Sequence, residues 1–275
     1  MNTKQMMDIA LKMANLKEMP ADCGIIVEGK NIKKVLMGVD MDTAELMLAQ
    51  QLGYDCVVSH HPRNTNADFA DVLHDHIWKL EALGVPRNKS QKLLEEFKTE
   101  FNYNIHVTNS RRSESAAKLL GIPFICIHTP ADIIGEAFLQ EFLDKKFKGK
   151  PETTVKEVKE ALEELSEYKD SVRKSSIRVG SAESYAGRIY VLMSGLTNPG
   201  PKILKEYFEA GVGTLVVMYI NEKEDKEIKE QSIGNVIIAG HMSSDSLGLN
   251  KLAKEWAKHG VEITMMSGIV PASKI

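Results

Sequence analysis

Cysteine is scarce in this chain of 275 residues, which has only Cys23, Cys56 and Cys126. Three scattered thiols exclude a disulfide scaffold and a zinc knuckle. The apolar runs around Cys56 and Cys126 suggest buried thiols in a reducing compartment. A strong charge of one sign is also missing, since 35 Lys and Arg stand against 38 Asp and Glu, a formal net charge of −3. That balance removes the general electrostatic case for a nucleic-acid binder, though not for a local basic patch. No apolar run reaches the roughly 20 residues a membrane helix needs. Met1 to Leu16 carries Lys4, Asp8 and Lys12 through a helical pattern and does not resemble a targeting signal, so cytoplasmic residence is expected. Ready-made catalytic motifs are lacking too. There is no GxxxxGK[ST] phosphate loop, and no GxGxxG opens the first βα unit, which leaves a dinucleotide site little support. GSAES (180–184) is not the Ser-centred elbow of a hydrolase and reads as a turn.

The chain does have enough apolar text for a core, at 43% hydrophobic residues, and eight histidines that are unevenly spread. Met6, Ile9, Met13 and Leu16 give the first helix an apolar face. VLMGV (35–39) reads as a buried strand, DTAELMLAQQLG (42–53) as a helix opened by an Asp42/Glu45 capping box, and YDCVVSHHP (54–62) as a second strand. This is a βαβ unit with parallel strands. Helical text returns near Asp68–Leu83, Asn88–Phe97 and Ser113–Leu120. IPFICIHT (122–129) is then a strand, with a helix near Asp132–Phe142. KKFKGKPETT (145–154) is a candidate linker, followed by a solvated helix from Val155 to Leu165. The second half repeats the plan: VLMSGL (191–196) resembles VLMGVD (35–40), and YFEAGVGTLVVMY (207–219) resembles QQLGYDCVVSHH (50–61). Pro201 and Gly211 bracket the helix between them. NVIIAGH (235–241), a helix near Ser244–His259 and VEITMMSG (261–268) complete the chain. The expectation is an α/β fold of two linked, pseudo-repeated lobes. The first is 1–147, and the second is 148–275 with strands free to cross back.

Histidine recurs where such strands end, and ligand sites of parallel sheets gather at that edge. His60 and His61 close one strand, and a turn there could aim both imidazoles at one place. His128 follows another strand, with Asp132 four residues on, either as an N-cap or facing a metal. His241 follows a third, with Asp245 again four residues on. The two share a face if the helix begins early enough, whereas an N-cap at Ser243 or Ser244 would leave His241 outside it. Imidazole with carboxylate and without paired thiols suits a divalent ion such as zinc, manganese, iron, cobalt or nickel. Two neighbouring ions would need about this many ligands, and such a pair activates water and steadies charge on a substrate. Of the other histidines, His74 and His76 read as helix surface and His259 as a last-turn residue. His106, in FNYNIHVTNS (101–110), could line a pocket from a strand. Asn109, Arg111 and Arg112 could meet phosphate or carboxylate, or form a solvated loop.

The three motifs SHHP (59–62), HTPAD (128–132) and GHMSSD (240–245), in this order and strand context, resemble the Nif-three-like family of dinuclear metal-centre proteins. The resemblance implies two α/β lobes with two metal ions in the cleft between them. It implies His60, His61, Asp132, His241 and Asp245 as ligands, with Asp132 bridging and His128 lining the site. It further implies assembly into homo-oligomers, commonly hexameric rings. Some members carry a GTP cyclohydrolase type two name. This chain departs from the pattern in having Asp245 where glutamate is usual, RNTNADF (63–69) after SHHP, and a long helical section from Asp68 to Ser113. The resulting expectation is a dinuclear metal-dependent hydrolase of a phosphorylated or nucleotide-like small molecule, with His128 as its proton carrier. The alternative is a non-catalytic metal-binding or adaptor protein.

Overall fold

A computed structural model describes residues 1–62, 69–105 and 111–272. Its strands are β1 (Gly24–Val27), β2 (Lys34–Gly38), β3 (Cys56–Ser59), β4 (Phe124–Cys126), β5 (Ser176–Val179), β6 (Ile189–Leu192), β7 (Thr214–Val217), β8 (Asn235–Ile238) and β9 (Glu262–Met266). They form a five-stranded sheet ordered β1-β4-β3-β2-β9 and a four-stranded sheet ordered β5-β8-β7-β6. In the first, β2, β3, β4 and β9 run parallel and β1 pairs antiparallel with β4. In the second, β6, β7 and β8 run parallel and β5 pairs antiparallel with β8. Each antiparallel pair even carries a register shift at the same point, between Ile25 and Val27 and between Ile177 and Val179. The internal repeat seen in the sequence is therefore a repeat of topology, with β9 as the first sheet's additional strand.

The chain packs as two compact units. One comprises the described residues of Met1–Phe69, Val107–Gly135 and Asp245–Ile275, and the other those of Ala70–His106 and Glu136–Ser244. The boundary falls inside two helices, Thr129–Phe147 and His241–Lys258. Residues 145–154 are the end of the former helix and a turn, after which Thr154 caps Val155–Leu162.

In the first unit the core joins Leu36, Met41, Leu46, Val57, Ala117 and Phe124. The helix Thr43–Gln51 begins with the Asp42/Glu45 capping box, which satisfies two helix-end donors reciprocally. In the second unit the long helical section finds its partner. The helices Asp75–Ala82 and Arg87–Ile105 bury Ile77, Leu80 and Leu94, with Leu73 just before the first helix, in one cluster with Leu192, Leu204, Tyr207 and Leu215. That packing corrects the reading of His76 as helix surface. Its ring is fully buried, donating from Nε2 to the Leu196 carbonyl at 2.8 Å and accepting at Nδ1 from the Tyr207 hydroxyl at 2.9 Å. Burial, then the nearby Lys79 charge, push His76 down to about 4, so the ring is neutral. Phe101–Ile105 belongs to a helix, not to a strand, and His106 and Asn109 lie outside the described residues. Among the described residues, no helix is long and apolar enough to cross a membrane.

Candidate metal centre

The ladder between β2 and β3 continues past the strand end. His60 N–H donates to the Gly38 carbonyl and His61 N–H to the Val39 carbonyl, both at 2.9 Å. Two successive amides facing the same strand break the alternation of an extended chain. The Ser59 hydroxyl, donating to the His61 carbonyl at 2.9 Å, closes this local turn. The imidazoles thus meet on one side, with ring centroids 5.2 Å apart, and the His128 ring lies 4.7 Å from His60 and 5.9 Å from His61.

Each ring is anchored by Nδ1. His60 Nδ1 bonds the Ile127 carbonyl at 3.1 Å, His61 Nδ1 the Asp40 carboxylate at 2.9 Å, and His128 Nδ1 the Asp22 carboxylate at 2.7 Å. Carbonyl and carboxylate oxygens only accept, so Nδ1 carries the proton in all three rings. Nε2 is then the atom aimed inward. His60 Nε2 lies 3.3 Å from Asp132 Oδ1 and 3.6 Å from Asp245 Oδ1, His61 Nε2 lies 3.6 Å from Asp245 Oδ2, and His128 Nε2 lies 3.7 Å from Asp132 Oδ2. Each carboxylate therefore divides its two oxygens between two imidazoles.

The helices put the acids there. Thr129–Phe147 starts before Asp132, which is not an N-cap but sits one turn in, with its side chain 4% exposed. His241–Lys258 likewise starts at His241 itself, so neither Ser243 nor Ser244 is its cap. Asp245 is one turn after His241 on the same helical face, and its side chain is 1% exposed. In the second unit, the His241 ring lies 4.9 Å from that of Tyr219. Gly248, a further turn along, lets this helix touch the other: a Cβ there would fall 1.9 Å from the Ala131 carbonyl oxygen.

Burial alone would strip charge from the histidines, but Asp245 and Asp132 hold the His60 proton well above the usual imidazole range. Against the same burial, Asp132 and Asp22 raise His128. For His61, burial and then the His60 charge outweigh Asp245 and Asp40, and its pKa is lowered. Burial pushes the Asp22 carboxyl up, but hydrogen bonds from His128, Thr129 and Cys23 more than offset this and bring it below the ordinary value. The donor set fits a divalent ion. His60 Nε2 and Asp132 Oδ1 are buried without a hydrogen bond. His60, Asp132 and Asp245 offer atoms all within 4.8 Å of one another, as do His60, His61 and His128. Two ligands at about 2.1 Å from one tetrahedral ion stand about 3.4 Å apart, close to the spacing seen.

Asp22 and Asp40 are absent from the sequence reading of the site. Asp40 follows the VLMGV run directly, and Asp22 stands between Pro20 and Gly24, outside any strand or helix pattern. Outer-sphere anchors like these need no fixed spacing from the motif they serve. Arg111 and Arg112 are exposed, with Arg112 3.7 Å from Asp42.

Fold and site together define a class: a duplicated α/β protein with His and Asp groups, able to hold divalent ions, at the C-terminal ends of parallel strands. Compared with solved structures, the chain is similar to a NIF3 superfamily protein from Sphaerobacter thermophilus, with 32% identity, a TM-score of 0.92 and 98% of both chains covered. It shares its fold with reduced HcgD from Methanocaldococcus jannaschii (16% identity, TM-score 0.62, 96% of this chain and 97% of that one). It also shares it with a Bacillus cereus protein related to NIF3 (12%, 0.55, 97% and 96%). No protein-family model and no curated protein matches it. The chain belongs to the NIF3 superfamily, the family its three motifs resemble.

Proposed function

We propose that this chain is a dinuclear metal-binding protein working as a metal-dependent hydrolase on a phosphorylated or nucleotide-like small molecule. The observation that carries the reading is the sharing of oxygens: Asp132 faces His60 and His128, and Asp245 faces His60 and His61, which suits carboxylates serving two neighbouring ions. His60, His61, Asp132 and Asp245 would hold the ions, with His241, one turn before Asp245, completing the set. Ions bound there would supply Lewis acidity and lower the pKa of water for attack. With an ion in place of a second imidazole proton, the Nδ1 anchors would leave Nε2 of His60 and His61 already oriented to coordinate it, which would spare the cost of orienting them. His128, backed by a buried carboxylate as the imidazole of a hydrolytic triad is, accepts and returns a proton at Nε2. The deep burial of His60, Asp132 and Asp245 favours a second reading, a non-catalytic metal-binding or adaptor protein.

Titration of chelator-treated protein with Zn²⁺ or Co²⁺ is expected to saturate above one ion per chain, and saturation at zero or one ion would sink the two-ion reading. A screen of phosphate mono- and diesters with the loaded protein separates enzyme from binder. Replacing Asp22 by Ala takes away the carboxylate behind the proton carrier His128, so it is expected to leave Co²⁺ affinity within about threefold and to lower the rate on any ester the screen finds by about 10-fold or more. Competition with a chromophoric chelator and the rate of the loaded variant measure the two, and an unchanged rate would remove His128 from that role.

A further inference from the structure

Among the described residues, the second sheet has no counterpart of the strand that closes the first. In the first sheet, β2 pairs on its outer side with β9. The corresponding strand of the second, β6, is an edge. Unpaired edge strands are templates for pairing with another chain. Here two side chains of the helix Thr129–Phe147, one turn apart, occupy that edge. Gln140 Oε1 accepts from Val191 N–H at 2.8 Å while its Nε2 donates to the Ile189 carbonyl at 3.2 Å. The amide thus presents its acceptor and donor to alternate residues of the strand, as the peptide group of a neighbouring strand would. Glu136 Oε2 continues the row, accepting from Met193 N–H at 2.7 Å and Ser194 N–H at 2.9 Å.

Both side chains are held in place. Gln140 Nε2 also donates to Asp144 Oδ1 at 2.9 Å. Lys79 Nζ binds Glu136 at 2.8 Å, Asp75 at 2.9 Å and the Ser194 carbonyl at 2.9 Å, which pins the carboxylate against the strand end. Beside this row lies a cavity of about 520 Å³ lined by Gln140, Asp144, Phe147, Arg188 and Tyr190. It would merge with the space left if Gln140 were truncated.

We propose that Gln140 and Glu136 are a side-chain surrogate for the missing strand, closing β6 against edge-to-edge pairing with a second copy of this chain. Uncapped, β6 offers a second β6 the same hydrogen-bonding groups, and a two-fold axis would let both edges satisfy each other. Glu136 and Gln140 lie one and two turns beyond Asp132 on the same helix, so the test reads the strand edge directly and not metal binding.

The test compares the full-length chain with Gln140→Ala and Gln140→Lys. Both variants lose the peptide-like pair of hydrogen bonds, but lysine leaves a charge on the edge, which blunts strand pairing. In dilute protein, exchange of the Val191 amide hydrogen is expected to accelerate by about 10-fold or more in both variants. At higher concentration, sedimentation should show self-association beyond that of the wild-type chain for Gln140→Ala only. The Val191 amide of that variant should then regain protection. Unchanged Val191 exchange in dilute Gln140→Ala would overturn the proposal. So would equal self-association of the two variants, which would mark general destabilisation rather than edge pairing. Should Gln140→Ala fail to fold, Gln140→Glu, which keeps the acceptor for Val191 and loses the donor to Ile189, is expected to retain Val191 protection. Its loss would equally overturn the proposal.

Discussion

Replacing Asp132 by Ala is expected to weaken divalent-ion binding by about 100-fold or more, whereas replacing His76 by Ala leaves binding within about twofold of wild type. Asp132 is the acid whose two oxygens face two different imidazoles, His60 and His128. Its loss takes away the proposed shared ligand and leaves His60 Nε2 with Asp245 as its remaining carboxylate neighbour among the described residues. His76 belongs to another chemistry. Truncating it leaves the Tyr207 hydroxyl and the Leu196 carbonyl buried without their partner and opens a cavity, at a cost of about 3 kcal/mol of stability. Co²⁺ titration and urea unfolding of both variants separate the two effects. Equal metal loss in the two would mean that the cluster does not hold the ions.

Gly248→Ala is the second large effect, and it alters none of the proposed ligands. The added Cβ would lie 1.9 Å from the Ala131 carbonyl oxygen and 2.6 Å from its carbonyl carbon. These are backbone atoms of a helix and cannot rotate away, so the two helices must part by about 1 Å. Asp132 is the next residue after Ala131, and Asp245 is one turn before Gly248, so the movement separates the carboxylates that flank His60. The expected result is a loss of about 2–4 kcal/mol in unfolding free energy together with at least about 10-fold weaker Co²⁺ binding. A variant as stable as wild type and as tight for Co²⁺ would show that this close approach does not set the site.

Several parts of this protein were legible in the amino-acid order because their causes are local. The buried strands β2, β3 and β4 announce themselves as short apolar runs, and the Asp42/Glu45 cap and Pro201 mark helix starts within a few residues. Histidines at the ends of such runs, two of them with aspartate four residues on, single out His60, His61, His128, Asp132, His241 and Asp245 as candidates, and the structure gathers His60, His61, His128, Asp132 and Asp245. The two edge strands β1 and β5 were not legible. Each is four residues long and mostly not fully buried, so it lacks the run or the alternation that marks a strand. The N-cap reading of Asp132 failed because the helix begins at Thr129, with Pro130 in its first turn.

By itself, then, the sequence determined the repeated strand–helix–strand units and the histidines and aspartates that gather near their ends. Only the tertiary structure decided what surrounds them. It brought Asp22 behind His128 from 106 residues away, buried His76 against Tyr207 from 131 residues away, and laid Gln140 along β6 in the place of a strand. Sequence spacing carries no trace of these pairings. They arise when helices and sheets pack and every polar group taken out of water must find a partner wherever the chain supplies one.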